Sequence, residues 1–277
     1  MIEQIFAHRG ASAGFAEHTR AAYLQALADG ADGVEGDLHL TADGALVLIH
    51  DDTLDRTSNG SGPVAGHTLE ELRGLDFTSW KGARIPPEYG RVREQLLTLD
   101  GLLDILAGAG REVALALEFK YGELFDPAVV DAALVALGAR GWSAARSMAG
   151  NVKVSFMSFH PEAVKYLSGH VPAARLCQLL QDAETGARRE LLANGEALLD
   201  DGAAHLAGPG VDYLRANPGN AARWLAAGRT LRVWTVDTAE DLQLCLDAGV
   251  AEVTTNRPAA IRAMLGRPPG AGGRRPA

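Results

Sequence analysis

The sequence predicts an α/β fold whose parallel strands close into an eight-stranded barrel, and three observations carry that reading. Short apolar runs alternate with Ala- and Leu-rich amphipathic stretches, the pattern that parallel strand–helix units produce. The runs number close to eight, and 277 residues exceed the usual domain yet suit one barrel of roughly 250 residues. A sixth run rich in small residues and turn formers, 202–209, leaves an open sheet as the alternative at this level.

In chain order the candidate strands are 5–8, 33–40, 113–119, 152–157, 175–179, 205–208, 231–236 and 252–255. Segments 20–28, 127–137, 221–227, 239–246 and 258–265 have the Ala and Leu content and the spacing of outer-ring helices. From 51 to 97 the rhythm breaks: Asn59-Gly60-Ser61-Gly62-Pro63 and Pro86-Pro87 are turn signals, with one short helix expected at 69–75. This stretch reads as an insertion at about 52–97, after the second strand and over the barrel mouth. The expected organisation is one catalytic domain over 1–265, and a disordered tail over 266–277, whose Gly, Pro and Arg cannot build a core.

A formal net charge of −9 excludes a broad basic field for nucleic acid or for stable membrane association, so an anionic ligand must be met locally. Cys177 and Cys245 stand far apart and form neither a disulfide framework nor a zinc–thiolate motif. No apolar run reaches membrane-spanning length, and a candidate site residue already stands at position 8, so a cytoplasmic location is expected. A homodimer stays open.

The chemistry-bearing residues cluster early. Glu35 and Asp37 share one face of an otherwise apolar strand, where two inward carboxylates are costly without a cation between them. Such oxygen donors suit Mg²⁺ or Ca²⁺ better than zinc. Glu118-Phe119-Lys120 ends another apolar run, with Glu118 as a third candidate ligand. Lys120 is read either as an anion contact or as part of a structural ion pair. His8-Arg9 closes the first strand at the rim where barrel active sites are assembled, and Arg9 offers a planar fork matched to phosphate. His50 ends the apolar run 46–49. Two histidines beside a cation site are the proton carriers that phosphoryl chemistry needs.

Taken together, His8-Arg9-Gly10, Glu17-His18-Thr19, the run 30–37, Thr41-Ala42-Asp43-Gly44, His50-Asp51 and the run 54–60 resemble the glycerophosphodiester phosphodiesterase family. Glu118-Phe119-Lys120, the run 233–237 and Thr255-Asn256-Arg257-Pro258 match later blocks of that family in the same order. The resemblance implies a TIM barrel with a small insertion and a divalent cation, Mg²⁺ or Ca²⁺, on Glu35, Asp37 and Glu118. It implies acid/base roles for His8 and His50, phosphate contact by Arg9, a matching lysine in Lys120, and Trp234 near the glycerol end of the substrate. The implied reaction is hydrolysis of a small glycerophosphodiester to glycerol 3-phosphate and an alcohol. His8 is read as base and His50 as acid.

Three positions depart from the family pattern. His18 stands where asparagine is usual, Gly36 replaces a larger apolar residue, and His39 shares the face of Asp37, where a structural role is expected. The alternatives are a lysophospholipase D-like or sphingomyelinase D-like enzyme and a catalytically silent barrel. The lipid enzyme would need an apolar rim, for which Phe77, Trp80 and Tyr89 are the candidates. Those aromatics are expected to pack against the barrel instead.

Overall fold

The computed structural model describes residues 1–182 and 186–268. Its strands are β1 (Gln4–Ala7), β2 (Gly33–Leu40), β3 (Leu46–Leu48), β4 (Val113–Phe119), β5 (Met148–Ala149), β6 (Val152–Ser158), β7 (Leu176–Leu180), β8 (Leu206–Pro209), β9 (Thr230–Val233) and β10 (Glu252–Thr255). The helices are α1 (Arg20–Ala28), α2 (Leu69–Arg73), α3 (Leu99–Ala107), α4 (Ala128–Ala139), α5 (Pro161–Ser168), α6 (Ala187–Asp201), α7 (Val211–Ala216), α8 (Pro218–Ala226), α9 (Ala239–Asp247) and α10 (Pro258–Met264).

Eight strands run parallel in the order β1-β10-β9-β8-β7-β6-β4-β2, and β2 pairs with β1 to close the barrel. The strand expected at 205–208 forms as β8, paired on both sides, so the open-sheet alternative falls away. Strand seven stops at Val233, three residues short of expectation, and His8 lies one residue beyond β1. Helices α3, α5, α6 and α7 were not anticipated.

Alternation along the strands sorts side chains between two layers. From β2, Val34 and Leu38 pack outward against the helices, while Glu35 and Asp37 occupy the opposite face. From β4, Leu115, Leu117 and Phe119 pack outward, whereas Ala114 and Ala116 join Phe6, Met157, Cys177 and Leu179 inside the barrel. Small alanines below Glu118 leave room above them for a site. Lower down, Arg232 plugs the interior. Its Nε donates to Glu252 Oε2 at 2.6 Å, its Nη1 donates to Ser155 Oγ at 3.0 Å, and its guanidinium lies 4.2 Å over the Phe6 ring.

The excursion after β2 begins earlier than expected, because β3 turns back antiparallel on β2, pairing Leu38 with Leu48. It carries its own apolar cluster of Val47, Ile49, Leu54, Val64, Leu72 and Phe77, which fixes it against the barrel. At the C-terminus, Arg267 donates to the Asp32 carboxylate at 3.2 Å, so the first residues of the expected tail are tied down. Its remainder, 269–277, lies outside the described residues. Among the described residues no helix is long and apolar enough to cross a membrane.

Candidate active site

At the C-terminal ends of the strands lies a cavity of about 210 Å³ lined by His8, Arg9, Glu35, His50, Glu118, Lys120 and Trp234. Asp37, fully buried, sits behind this lining, so the structure gathers all eight residues singled out by sequence. The β2–β4 register sets Asp37 beside Glu118. Donor oxygens of Glu35, Asp37 and Glu118 lie within 4.8 Å of one another, close enough to share one cation.

On these carboxylates Glu35 Oε1 and Asp37 Oδ1 are buried and make no hydrogen bond, Asp37 Oδ1 having Lys120 Nζ 3.3 Å away. Buried polar atoms are seldom left so. Their partners on the same carboxylates are occupied: the Arg9 backbone N–H donates to Glu35 Oε2 at 3.0 Å, and His18 Nε2 lies 2.7 Å from Asp37 Oδ2. The acidic triad is able to bind a metal ion, and oxygen donors of this kind suit a hard one. The electrostatics agree. Burial, then the charges of Asp37 and Glu118, push Glu35 well above the usual carboxylate range. Burial, with Asp37 adding to it and Lys120 opposing, pushes Glu118 up to about 7. For Asp37 burial works upward but is overcome by Lys120, His18 and Arg9, which hold it well below its ordinary value.

Cations face the triad from two sides. Lys120 Nζ lies 2.7 Å from Glu118 Oε1 and 3.3 Å from Asp37 Oδ1. Arg9, at a left-handed φ of +58°, donates from Nη1 to Glu17 Oε1 at 3.0 Å and brings Nε to 3.2 Å from Asp37 Oδ2. Lys120 thus makes the ion pair with Glu118 while lining the cavity.

Each histidine is oriented by an acceptor behind it. Asp237 accepts from the Asn256 backbone N–H at 2.8 Å and from Asn256 Nδ2 at 2.5 Å, which turns Asn256 Oδ1 toward His8 Nδ1, 2.8 Å away. An amide oxygen only accepts, so Nδ1 carries the proton, and Nε2 of neutral His8 keeps its lone pair. Burial, reinforced by Arg9, lowers the His8 pKa to about 4. His50 Nδ1 donates to Asp51 Oδ1 at 2.6 Å, and Arg56 grips Asp51 through Nε at 2.6 Å while its Nη1 and Nη2 reach Glu17. Burial lowers the His50 pKa too, Asp37 opposing it.

Trp234 donates from Nε1 to Gly208 O at 2.9 Å and meets Phe159 edge-on with ring centroids 5.3 Å apart, forming an apolar wall. His39 takes the structural role expected of it, Nε2 donating to the His50 carbonyl at 3.3 Å. Phe77, Trp80 and Tyr89 do not line the cavity: Phe77 joins the cluster of the excursion, and Tyr89 packs edge-on against Phe15. Sequence reasoning assigned no role to Glu17, Tyr23, Asp51, Arg56, Arg232, Asp237 or Asn256. Most of these stood in the quoted motif blocks, where the acidic and amide residues beside each histidine were the available signal.

Cation-seeking oxygens and an arginine fork on one cavity define a class before they define a member: barrels that bring a metal ion and an anionic ester together at the strand ends. The chain belongs to the glycerophosphoryl diester phosphodiesterase family, whose model matches residues 8–260. It is 37% identical over 261 residues, 94% of this chain and 92% of the relative, to the Mycobacterium tuberculosis protein named "Probable glycerophosphodiester phosphodiesterase 1". It is 32% identical to the glycerophosphodiester phosphodiesterase of Bacillus subtilis, over 91% of this chain and 83% of that one. A solved Oleispira antarctica phosphodiesterase in complex with the product sn-glycerol-3-phosphate superposes with a TM-score of 0.77 at 23% identity, covering 96% of this chain and 97% of that one, which speaks to the fold. A glycerophosphodiester phosphodiesterase from Agrobacterium tumefaciens gives a TM-score of 0.66 at 27% identity, over 95% of this chain and all of that one.

Proposed function

We propose that this protein hydrolyses small glycerophosphodiesters to glycerol 3-phosphate and an alcohol, using a divalent cation and two histidines at the barrel mouth. The observation that carries the reading is the set of three buried carboxylates with donor oxygens within 4.8 Å of one another, Glu35 Oε1 without a hydrogen bond, beside a cavity that also holds two oriented histidines and an arginine. Glu35, Asp37 and Glu118 hold the cation, Mg²⁺ or Ca²⁺ by the chemistry of their donors. When bound, it supplies Lewis-acid polarisation of a phosphoryl oxygen and offsets charge developing on the phosphorus oxygens.

The protein's own groups do the rest. Arg9 and Lys120 hold the other phosphoryl oxygens, their charges pre-arranged by the surrounding carboxylates. His8, neutral at neutral pH, accepts through Nε2 the proton of the attacking hydroxyl, either water directly or the glycerol 2-hydroxyl, in which case water then opens the cyclic phosphate formed. His50, with Nδ1–H committed to Asp51, delivers a proton from Nε2 to the departing alkoxide. Trp234 and Phe159 form the wall against which the glycerol carbons lie. Residues 1–265 form the catalytic unit, the excursion contributing His50, Asp51 and Arg56. Two buried free cysteines fit a reducing, cytoplasmic setting.

The test is a panel of glycerophosphodiesters with choline, ethanolamine and glycerol head groups, assayed with Mg²⁺, Ca²⁺ and Mn²⁺ for release of glycerol 3-phosphate. Comparable rates across head groups are expected. Turnover confined to a long-chain lysophospholipid would contradict the small-diester reading.

A further inference from the structure

Behind the triad, a second layer of residues is organised around Asp37. His18 is 4% exposed and adopts a left-handed φ of +60°, a conformation histidine and asparagine tolerate better than most residues. Its backbone N–H donates to the Arg9 carbonyl at 3.0 Å, which pins the loop to the end of β1. The ring then spans two partners: Nε2 lies 2.7 Å from Asp37 Oδ2 and Nδ1 lies 2.9 Å from the Tyr23 hydroxyl. That hydroxyl also lies 3.0 Å from the Glu35 carbonyl, so Tyr23 bridges the His18 ring and the backbone of β2. With Asp37 ionised, Nε2–H donates to Oδ2, which commits that oxygen to His18 and leaves Oδ1 free of it.

Gly36 is what lets Tyr23 in. A Cβ at that position would sit 2.9 Å from the Tyr23 hydroxyl and 2.9 Å from Leu48 Cδ1. Fully buried Tyr23 reaches the backbone of β2 only because position 36 has no side chain. Two of the sequence's departures from the family pattern, His18 and Gly36, are therefore parts of one connected network.

We propose that His18 is a positioning residue for the metal site: held by Tyr23 through the space at Gly36, it clamps Asp37 so that Oδ1 is presented to the cation. The proposal rests on the metal reading above. A carboxylate already fixed in its binding rotamer loses less freedom when it coordinates, and removal of such a supporting partner typically weakens metal binding by about 10–100-fold.

Metal-stripped protein, titrated calorimetrically with Mg²⁺ and with Ca²⁺, provides the test, alongside thermal unfolding of each stripped variant. His18→Ala should bind the ion about 10–100-fold more weakly. Tyr23→Phe should lose a smaller part, and His18→Gln, whose amide can donate to Asp37, should recover most of the affinity. A purely structural role would lower the unfolding temperature of the stripped variants and leave ion affinity at the wild-type value. That result, or His18→Gln binding as weakly as His18→Ala, would overturn the proposal. Equal binding by wild type and Glu35→Gln would place the ion elsewhere, so the metal reading itself would fail and this proposal with it.

Discussion

Asn256 is the residue through which the account of His8 is most exposed to refutation. Asn256→Ala removes the acceptor 2.8 Å from His8 Nδ1 and the Nδ2 donor 2.5 Å from Asp237. A net hydrogen bond is worth about 0.5–1.5 kcal/mol, so losing the one that selects the Nδ1–H tautomer shifts the tautomer ratio by roughly 2–12-fold. Freed ring rotation adds to that, and kcat should fall about tenfold or somewhat more. Stability should fall as well, because Asp237 is left with an unpaired oxygen in a half-buried site, at a cost of about 1–3 kcal/mol. Steady-state kinetics on glycerophosphocholine at saturating metal, with urea unfolding of the same preparation, separates the two effects. A variant that loses stability yet keeps wild-type kcat would refute the tautomer argument, since His8 would then need no orienting acceptor.

The histidines should part company by leaving group. His50→Ala should lose about 10²–10⁴-fold on an alkyl diester and regain much of that on a nitrophenyl diester, while His8→Ala stays impaired on both. Rescue of His8→Ala alone would reverse the assignment. Metal binding should be proton-linked through Glu118, whose pKa is raised from 4.5 to about 7. Between those values the folded, stripped protein holds a proton that the unfolded chain has released, so this group's contribution to stability is lost as pH rises through 7. Apparent ion affinity should then weaken at least about tenfold per unit below pH 7, with at least about one proton released on binding at pH 6, since Glu35 is pushed upward too. Calorimetry in buffers of different ionisation enthalpy reads that proton, and none at pH 6 would contradict the assignment. Gly10→Ala should destabilise the protein by about 2–4 kcal/mol, from left-handed strain and a Cβ forced against the backbone. Gly10 has a φ of +83° and its Cβ would lie 2.6 Å from the Ala22 carbonyl carbon, so an unchanged urea midpoint would contradict this.

Sequence pattern exposes what is local and periodic. Carboxylates alternating with Val34 and Leu38 announce an inward acidic face, because alternation along a strand is fixed by the pleat. The ends of apolar runs announce His8, His50 and Glu118 at the barrel mouth for the same reason. Helix α6 was hidden because Asn194-Gly195 reads as a turn. In the structure, a Cβ at Gly195 would meet Gln178 Nε2 at 2.8 Å, so the glycine answers to packing rather than to chain reversal. Helix α3 was obscured by Gly101 and its flanking aspartates. Contacts that depend on closure are not written in any spacing: His8 and Asn256 stand 248 positions apart and meet because β1 pairs with β10. The His18–Tyr23–Asp37 network is equally illegible, since it needs a left-handed loop residue, a helix face and an empty Cβ position at once.

The central claim is that Glu35, Asp37 and Glu118 hold the divalent cation on which glycerophosphodiester hydrolysis depends. Its most direct test measures glycerol 3-phosphate release from glycerophosphocholine by protein dialysed exhaustively against chelator, before and after Mg²⁺ or Ca²⁺ is returned, for wild type, Asp37→Asn and Glu118→Gln. The account predicts no turnover from any stripped form, full recovery of wild type on adding one of the ions, and little or none for the two variants. Full activity of the stripped wild type, or equal recovery by the variants, would contradict it.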